Sequence, residues 1–375
     1  MKLFISIFIL LFSFLDLMSQ SENDWPVYRG KPDLAGKSDF EIASNPKLLW
    51  SLATGTRTKS SPVINNGTIF FGNEKGELIA ITPDGEIKWK YESRSPIEAP
   101  PLSYGDMVVF GASDGFLRSV DKNSGKLIWS YLTENQIAGS ANFWENKNKA
   151  GIVVGSYDYC LHCVDPITGK QKWKVETENF INGAPAVSGN MIVFGGCDGF
   201  IRVIDPETGR QKDSVEVGVY IAASPALSGG RAYFGDYDGT LYCIDLTSDK
   251  TVWKTEAAEG SGSIIAVPAV SHGLVIVGNE DKYIYCYNAS DGKLKWKFRT
   301  NGAVTGSAVI VSDKILFAST DGNIYLLRQS DGTRIWNFYS GSSISSSPAI
   351  IKDNFIILTD DGRVLSFGEK TSLQR

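Results

Sequence analysis

The chain has 375 residues, of which 42% are hydrophobic and 21% charged, with a formal net charge of -5 and 38 glycines. A mildly acidic chain with no basic run offers no surface for phosphate backbones, so nucleic acid is excluded as an expected partner. Glycine at about a tenth of the residues, against a usual share of roughly 7%, points to many tight turns.

In chain order, residues 1–19 read as a secretory signal. Lys2 supplies the positive start, and Leu3 to Leu15 is an apolar run broken only by Ser6 and Ser13. Asp16 ends the run before the ~20 apolar residues that a span requires, so no transmembrane segment is expected in the mature chain. The first cysteine is Cys160, which leaves no lipid acceptor after the apolar run. The expected product is therefore exported to the periplasm or beyond, and is not a lipoprotein. Residues 20–45 form an N-terminal extension, whose stretch from Trp25 to Asn45 is expected to lie outside the main fold and against it.

Residues 46–368 repeat themselves. Tryptophan recurs at 50, 89, 129, 173, 253, 296 and 336, with Asp213 filling the one gap in GRQKD where the preceding unit has GKQKW. A Gly-rich turn, strand and second turn keep the same phase, as in GASDGFLRSVDKNSGKLIW from Gly111 and GSYDYCLHCVDPITGKQKW from Gly155. So do SPVI at Ser61, APAV at Ala184, SPAL at Ser224, VPAV at Val267 and SPAI at Ser347. The second unit decodes into strands at Pro101 to Ser103, Met107 to Gly111, Phe116 to Asp121 and Lys126 to Tyr131, joined by glycine-bearing turns. Runs such as MVVFG are apolar on both faces, which implies sheets stacked face to face. Pro62, Pro100, Ala141, Pro185, Pro225, Pro268, Ala308 and Pro348 open eight units, and the last lacks a fourth strand. Lys47 to Leu52, with Trp50, is a fourth strand without its other three. The expected fold is therefore all-β: an eight-bladed β-propeller of four-stranded antiparallel blades, its ring closed by that N-terminal strand, with residues 369–375 as a tail.

The seven tryptophans are expected to dock neighbouring blades. Of the five cysteines, Cys163, Cys243 and Cys286 share one repeat position with Ala80, Ser119, Val203 and Ser366, so they read as small core residues rather than as a disulfide or metal set. Cys160 and Cys163 lie on one extended strand, too far apart and on opposite faces for a bridge. Asp114, Asp198, Asp238, Asp281, Asp321 and Asp361 recur at one hairpin and read as turn residues. His162 reads as a blade residue, and His272 as part of a turn.

These units resemble the pyrroloquinoline-quinone (PQQ) type repeat, of which LHCVDPITGKQKW from Leu161 to Trp173 is a close instance. Asp24 to Gly30 also resembles a WPxxRG segment that precedes such propellers in exported bacterial proteins. The resemblance implies a propeller and leaves function open, because the fold serves quinone-dependent dehydrogenases and non-catalytic BamB-like proteins alike. The dehydrogenase branch carries paired adjacent cysteines and long insertions, and neither occurs here. The reading is therefore a non-enzymatic scaffold, monomeric and without a cofactor, that binds an envelope protein or surface polymer through one face. The alternative is a ligand, calcium or PQQ binder at the mouth of the central channel.

Positions leading into the first strands are mostly small: Ser60, Gly139, Gly183, Ala223, Ala266, Gly306 and Ser346. Glu98 breaks that series, with Lys59, Asn182 and Thr305 beside it, and an ion pair between Glu98 and Lys59 is expected. The loops before these strands carry Arg57, Arg94, Gln136, Asn179, Phe180, Tyr220, Glu259 and Asn301, which should gather on one face of the ring.

Overall fold

The structure, a computed structural model, describes residues 24–248, 250–255 and 262–369. The expected signal segment, Glu259 and residues 370–375 lie outside the described residues. Among the described residues, eight four-stranded antiparallel blades follow one another around an axis, one of them extended by a fifth, parallel strand. The second blade, for example, runs Leu102–Tyr104, Met107–Gly111, Phe116–Asp121 and Leu127–Leu132, within one residue of the reading above. Second strands such as Leu274–Gly278 are buried at every position because both faces meet neighbouring blades. Among the described residues, no helix is long and apolar enough to cross a membrane.

The ring closes as the repeat count requires. Blade 8 is built from Ala349–Ile351, Asn354–Leu358 and Arg363–Gly368, and its outer strand is the N-terminal Lys47–Ala53, with Trp50 opposite Ser366.

One device docks the blades at the rim. The Trp173 indole N–H donates to the Pro206 carbonyl in the next blade at 3.0 Å, and the ring lies so close to Gly209 that a Cβ there would fall 2.7 Å from it. Gly209 also has φ +70°, a conformation that glycine adopts without steric cost. Trp50, Trp89, Trp129, Trp253 and Trp296 repeat both contacts, with Gly85, Gly125, Gly169, Gly292 and Gly332. Trp336 packs edge-on to Phe355 and Phe367. A small third-strand residue stands directly across from six of the seven tryptophans, as Cys163 does from Trp173, Cys243 from Trp253 and Cys286 from Trp296, whereas Trp336 faces Leu326. These thiols are free, and burial pushes them up to about 12, 11 and 12 respectively, so they stay protonated near neutrality.

The N-terminal stretch does not lie outside the ring. It runs inside it as a belt against the innermost strands. Trp25 and Pro26 accept from the N–H groups of Ile64 and Ser103, Pro32 and Asp33 from Val187 and Leu227, and Ala35 and Gly36 from Val270 and Ile310. The amide of Asn142 donates to Pro32 in blade 3, and Lys37–Ser38 pairs in parallel with Val309–Val311 of blade 7. The physical reason is edge satisfaction. Each innermost strand presents an unpaired row of amides to the channel, and one segment threaded past them supplies the carbonyls. Its side chains fill the axis: Val27, Leu34 and Ala35 are buried, as is Arg29, whose guanidinium is lowered to about 10 by burial and steadied by Tyr28 and Asp33.

Candidate binding site at the channel mouth

With the axis filled by the belt, a depression of about 380 Å³ opens at the end where fourth strands hand over to first strands. Tyr28 forms part of its floor, its hydroxyl 3.0 Å from Ser307 Oγ and 3.3 Å from Ser347 Oγ. The serines of the SP segments explain themselves here. Ser347 Oγ accepts from the Ser307 N–H, Ser61 Oγ from the Ser347 N–H, and Ser224 Oγ from the Ala184 N–H, so each hydroxyl satisfies an amide of the preceding blade.

The wall carries the expected residues, in a corrected register. The second blade's first strand begins after Pro101, as the first blade's begins after Pro62, so the unit opens at Pro101 rather than Pro100. The doubled proline hides this in the sequence. Ala99 therefore completes the small series, and Glu98 stands level with Lys59, Asn182 and Thr305 in one circle. Lys59 Nζ and Glu98 Oε1 are 3.2 Å apart, both exposed. Asn182 Oδ1 accepts from the Tyr157 hydroxyl at 2.8 Å, and the Thr305 hydroxyl is buried.

A second circle lies outside the first. At the hairpins between second and third strands, one turn residue donates its N–H to the loop leading into the first strand: Tyr157 to Gln136, Cys197 to Phe180, Tyr237 to Tyr220, Glu280 to Ser263 and, before Lys75 rather than an aspartate, Glu74 to Arg57. This circle is lopsided. Across blades 3 to 5 it is aromatic: Tyr157 stacks on Phe180 at 4.6 Å, Tyr159 leans on Phe180 at 5.3 Å, and Tyr220 meets Tyr237 edge-on at 6.5 Å. Across the remaining blades it bears Glu280, Asp360 and Glu74, the last 3.9 Å from Arg57. Tyr220, at 58% exposure, and Tyr237, at 45%, are presented to solvent. Burial pushes the Tyr157 hydroxyl up, with nearby Cys197, Tyr237 and Glu98 adding to it, so it is held as a hydrogen-bond donor. Arg94 is exposed with φ +62°. Asn179 turns inward and donates to the Cys197 carbonyl.

Tyr28, Tyr157 and Tyr237 are absent from the sequence-based set. Tyr157 and Tyr237 were detectable as aromatic departures at a position that is Glu, Ser, Cys, Thr or Asp in the other blades. Tyr28 carried no such signal. His162 sits in blade 3 at some remove from the mouth lining, hydrogen-bonded to Asp158 and Tyr131, and His272 lies in its turn beside Ser271.

The architecture has solved counterparts. BamB from Moraxella catarrhalis superposes with a TM-score of 0.74 at 18% identity, covering 86% of this chain and all of that one. Quinohemoprotein alcohol dehydrogenase from Comamonas testosteroni superposes at 0.81 with 13% identity, covering 93% of this chain and 81% of that one. At such identities the likeness is one of fold, and it spans a non-catalytic and a catalytic neighbour alike. In sequence, the outer membrane protein assembly factor BamB of Nitrosomonas eutropha is 28% identical over 83 residues, 22% of this chain and 20% of that protein. The first curated relatives are matched over only 12% to 20% of their own lengths. The family profile described as outer membrane protein assembly factor BamB covers residues 42–147, 148–248 and 237–374, nearly the whole propeller. The chain belongs to that PQQ-repeat propeller family.

Proposed function

We propose that this chain is an exported, non-catalytic propeller of the cell envelope, acting as a monomer, that holds an envelope protein or surface polymer on its mouth face. The observation that carries this reading is the aromatic arc of Tyr157, Tyr159, Phe180, Tyr220 and Tyr237. Rings stacked on one another are already ordered, so a partner that covers them gains contact area at little further cost in side-chain entropy. The chemistry of the mouth supports binding over catalysis. Its SP serines are committed to backbone amides, its Lys59–Glu98 ion pair is exposed, and its half-buried Tyr157 phenol is held protonated. The signal-like N-terminus and the family support the envelope.

Crosslinking in the native envelope tests it. The wild-type chain should capture a defined partner, and Phe180→Ala with Tyr220→Ala should lose it while keeping the wild-type melting temperature. A purified protein that carries a quinone-like chromophore and oxidises alcohols with a dye acceptor would overturn the non-catalytic reading.

A second reading rests on the cavity, whose volume suits a small ligand or a calcium ion beside Glu98. If Glu98 binds calcium, the ion should raise the melting temperature of the wild type and not of Glu98→Gln. The Lys59 partner at 3.2 Å speaks against a carboxylate open to a cation.

A further inference from the structure

Five blades tie the hairpin between second and third strands with one device, an aspartate bonded to the side chain four residues on. Arg118 grips Asp114 and Arg202 grips Asp198 through two hydrogen bonds each, Tyr285 donates to Asp281, and Tyr325 donates to Asp321. In blade 3 the pair is Asp158 and His162, with Nε2 lying 3.0 Å from Oδ2. The residue between them on the same strand face is also changed. Blades 2 and 4 place Phe116 and Phe200 there, under the arginine guanidinium, whereas blade 3 places Cys160. Blade 3 thus turns an Asp-Phe-Arg tie into an Asp-Cys-His set. The carboxylate oxygen, thiol sulfur and imidazole nitrogen all lie within 4.8 Å of one another.

The neighbouring hydrogen bonds fix the orientation of the imidazole. The Tyr131 hydroxyl donates to Gln171 Oε1 at 2.7 Å and lies 2.9 Å from His162 Nδ1. Held at Nδ1 by this contact, the His162 ring turns Nε2 toward the Asp158 carboxylate, 3.0 Å from Oδ2. A histidine ligand held through its other nitrogen is also how metal sites orient their imidazoles. Beside the three groups is a cavity of about 300 Å³, lined as well by Glu134 and by the Lys174–Glu176 pair, with room for the ion and a fourth ligand.

We propose that blade 3 binds a zinc-type divalent cation through Asp158 Oδ2, Cys160 Sγ and His162 Nε2. Mixed O, S and N ligation suits this borderline-soft ion, and its bond lengths of about 2.0–2.3 Å place ligand atoms roughly 3.3–3.7 Å apart in a tetrahedron. The oxygen and nitrogen already stand near that spacing, and the sulfur lies within 4.8 Å of both. As the sulfur–metal bond forms, the thiol proton leaves to solvent. The bound ion would clamp the hairpin that presents Tyr157 and Tyr159 to Phe180. The site stands independently of what the mouth face binds.

The test uses the mature chain without a tag, stripped of metal and titrated with zinc sulfate, and separately with cobalt chloride. One zinc per chain should bind at micromolar concentration or below and raise the melting temperature, and cobalt should give a thiolate-to-metal absorption band in the near ultraviolet. The double variant Cys160→Phe with His162→Arg rebuilds the tie of blades 2 and 4. It should fold like the wild type, with zinc affinity at least ~100-fold weaker and no cobalt band. Should that variant fail to fold, Cys160→Ser decides by losing the band alone. Zinc uptake that is unchanged in these variants, or a wild-type chain that binds neither metal, overturns the proposal.

Discussion

The rim and the axis of this ring are built in opposite ways. At the rim one contact repeats, a tryptophan laid on the next blade's glycine with its N–H on the next blade's carbonyl, and any described copy explains the others. At the axis the residues do not repeat: a single segment visits seven blades in turn, and the mouth circles change residue at every step. The difference teaches where to look for function. What recurs around a closed ring is constrained by packing, whereas departures at one or two blades are free to make a surface.

The largest effect should come from breaking the axis and the closure together. Deleting residues 24–53 removes the belt and the outer strand of blade 8, exposing inner amides and opening two sheet edges. The expected outcome is loss of cooperative thermal unfolding by circular dichroism. A deletion that melts like the wild type would show that the belt and strand only decorate the ring. At the rim, Trp173→Ala should cost about 3–5 kcal/mol in denaturant unfolding. Gly209→Val attacks the same contact from the other side, through both φ +70° and the ring 2.7 Å from its Cβ, and should be comparably harmful. A midpoint shift of under a degree for Trp173→Ala would reject the docking role.

Acid should separate the hairpin ties from the rim. Asp114 and Asp198 are held below the ordinary carboxylate range: burial alone would raise them, but the bonds from Arg118 and Arg202 outweigh it. A carboxylate lowered in the folded state contributes stability above its unfolded value near ~3.9 and loses that contribution as pH falls through the folded value. Unfolding midpoints should therefore drop below about pH 4, and Arg202→Gln should flatten that drop while lowering stability at neutral pH. An unchanged acid profile in Arg202→Gln would remove the tie from the account.

The ring was legible in the sequence because its signals are local and repeated: turn glycines, alternating strands and a tryptophan per unit. The closure followed from a surplus strand at one end and a deficit at the other. The belt was not legible, since each of its carbonyls meets a strand tens to hundreds of residues away, and carbonyls leave no trace in residue identity. Glu98 was misplaced by one position because two prolines in succession blur the start of the strand. The Asp158, Cys160 and His162 set was visible in principle, because residues i, i+2 and i+4 of a strand share a face. Reading the hairpin aspartates as turn residues, and the cysteines against one another, kept the three apart.

The sharpest comparison lies within the rim, at the junction of blades 4 and 5. Asp213 stands there in place of tryptophan, directly across from Val203, with its carboxylate accepting from the Ser214 N–H. In the next blade's turn the sequence has Asp249 where Gly209 and Gly292 stand in their own turns. Both halves of the docking pair are thus changed at once, as expected if a tryptophan cannot lie on a residue with a Cβ. Asp213→Trp alone should therefore fail to stabilise, and Asp249→Gly alone should gain nothing from docking, because Asp213 offers no ring. The two together should gain about 0.5–2 kcal/mol, with the gain appearing in the interaction term of a double-mutant cycle. Additive single effects would mean that the glycine is needed only for its turn and not to seat the ring.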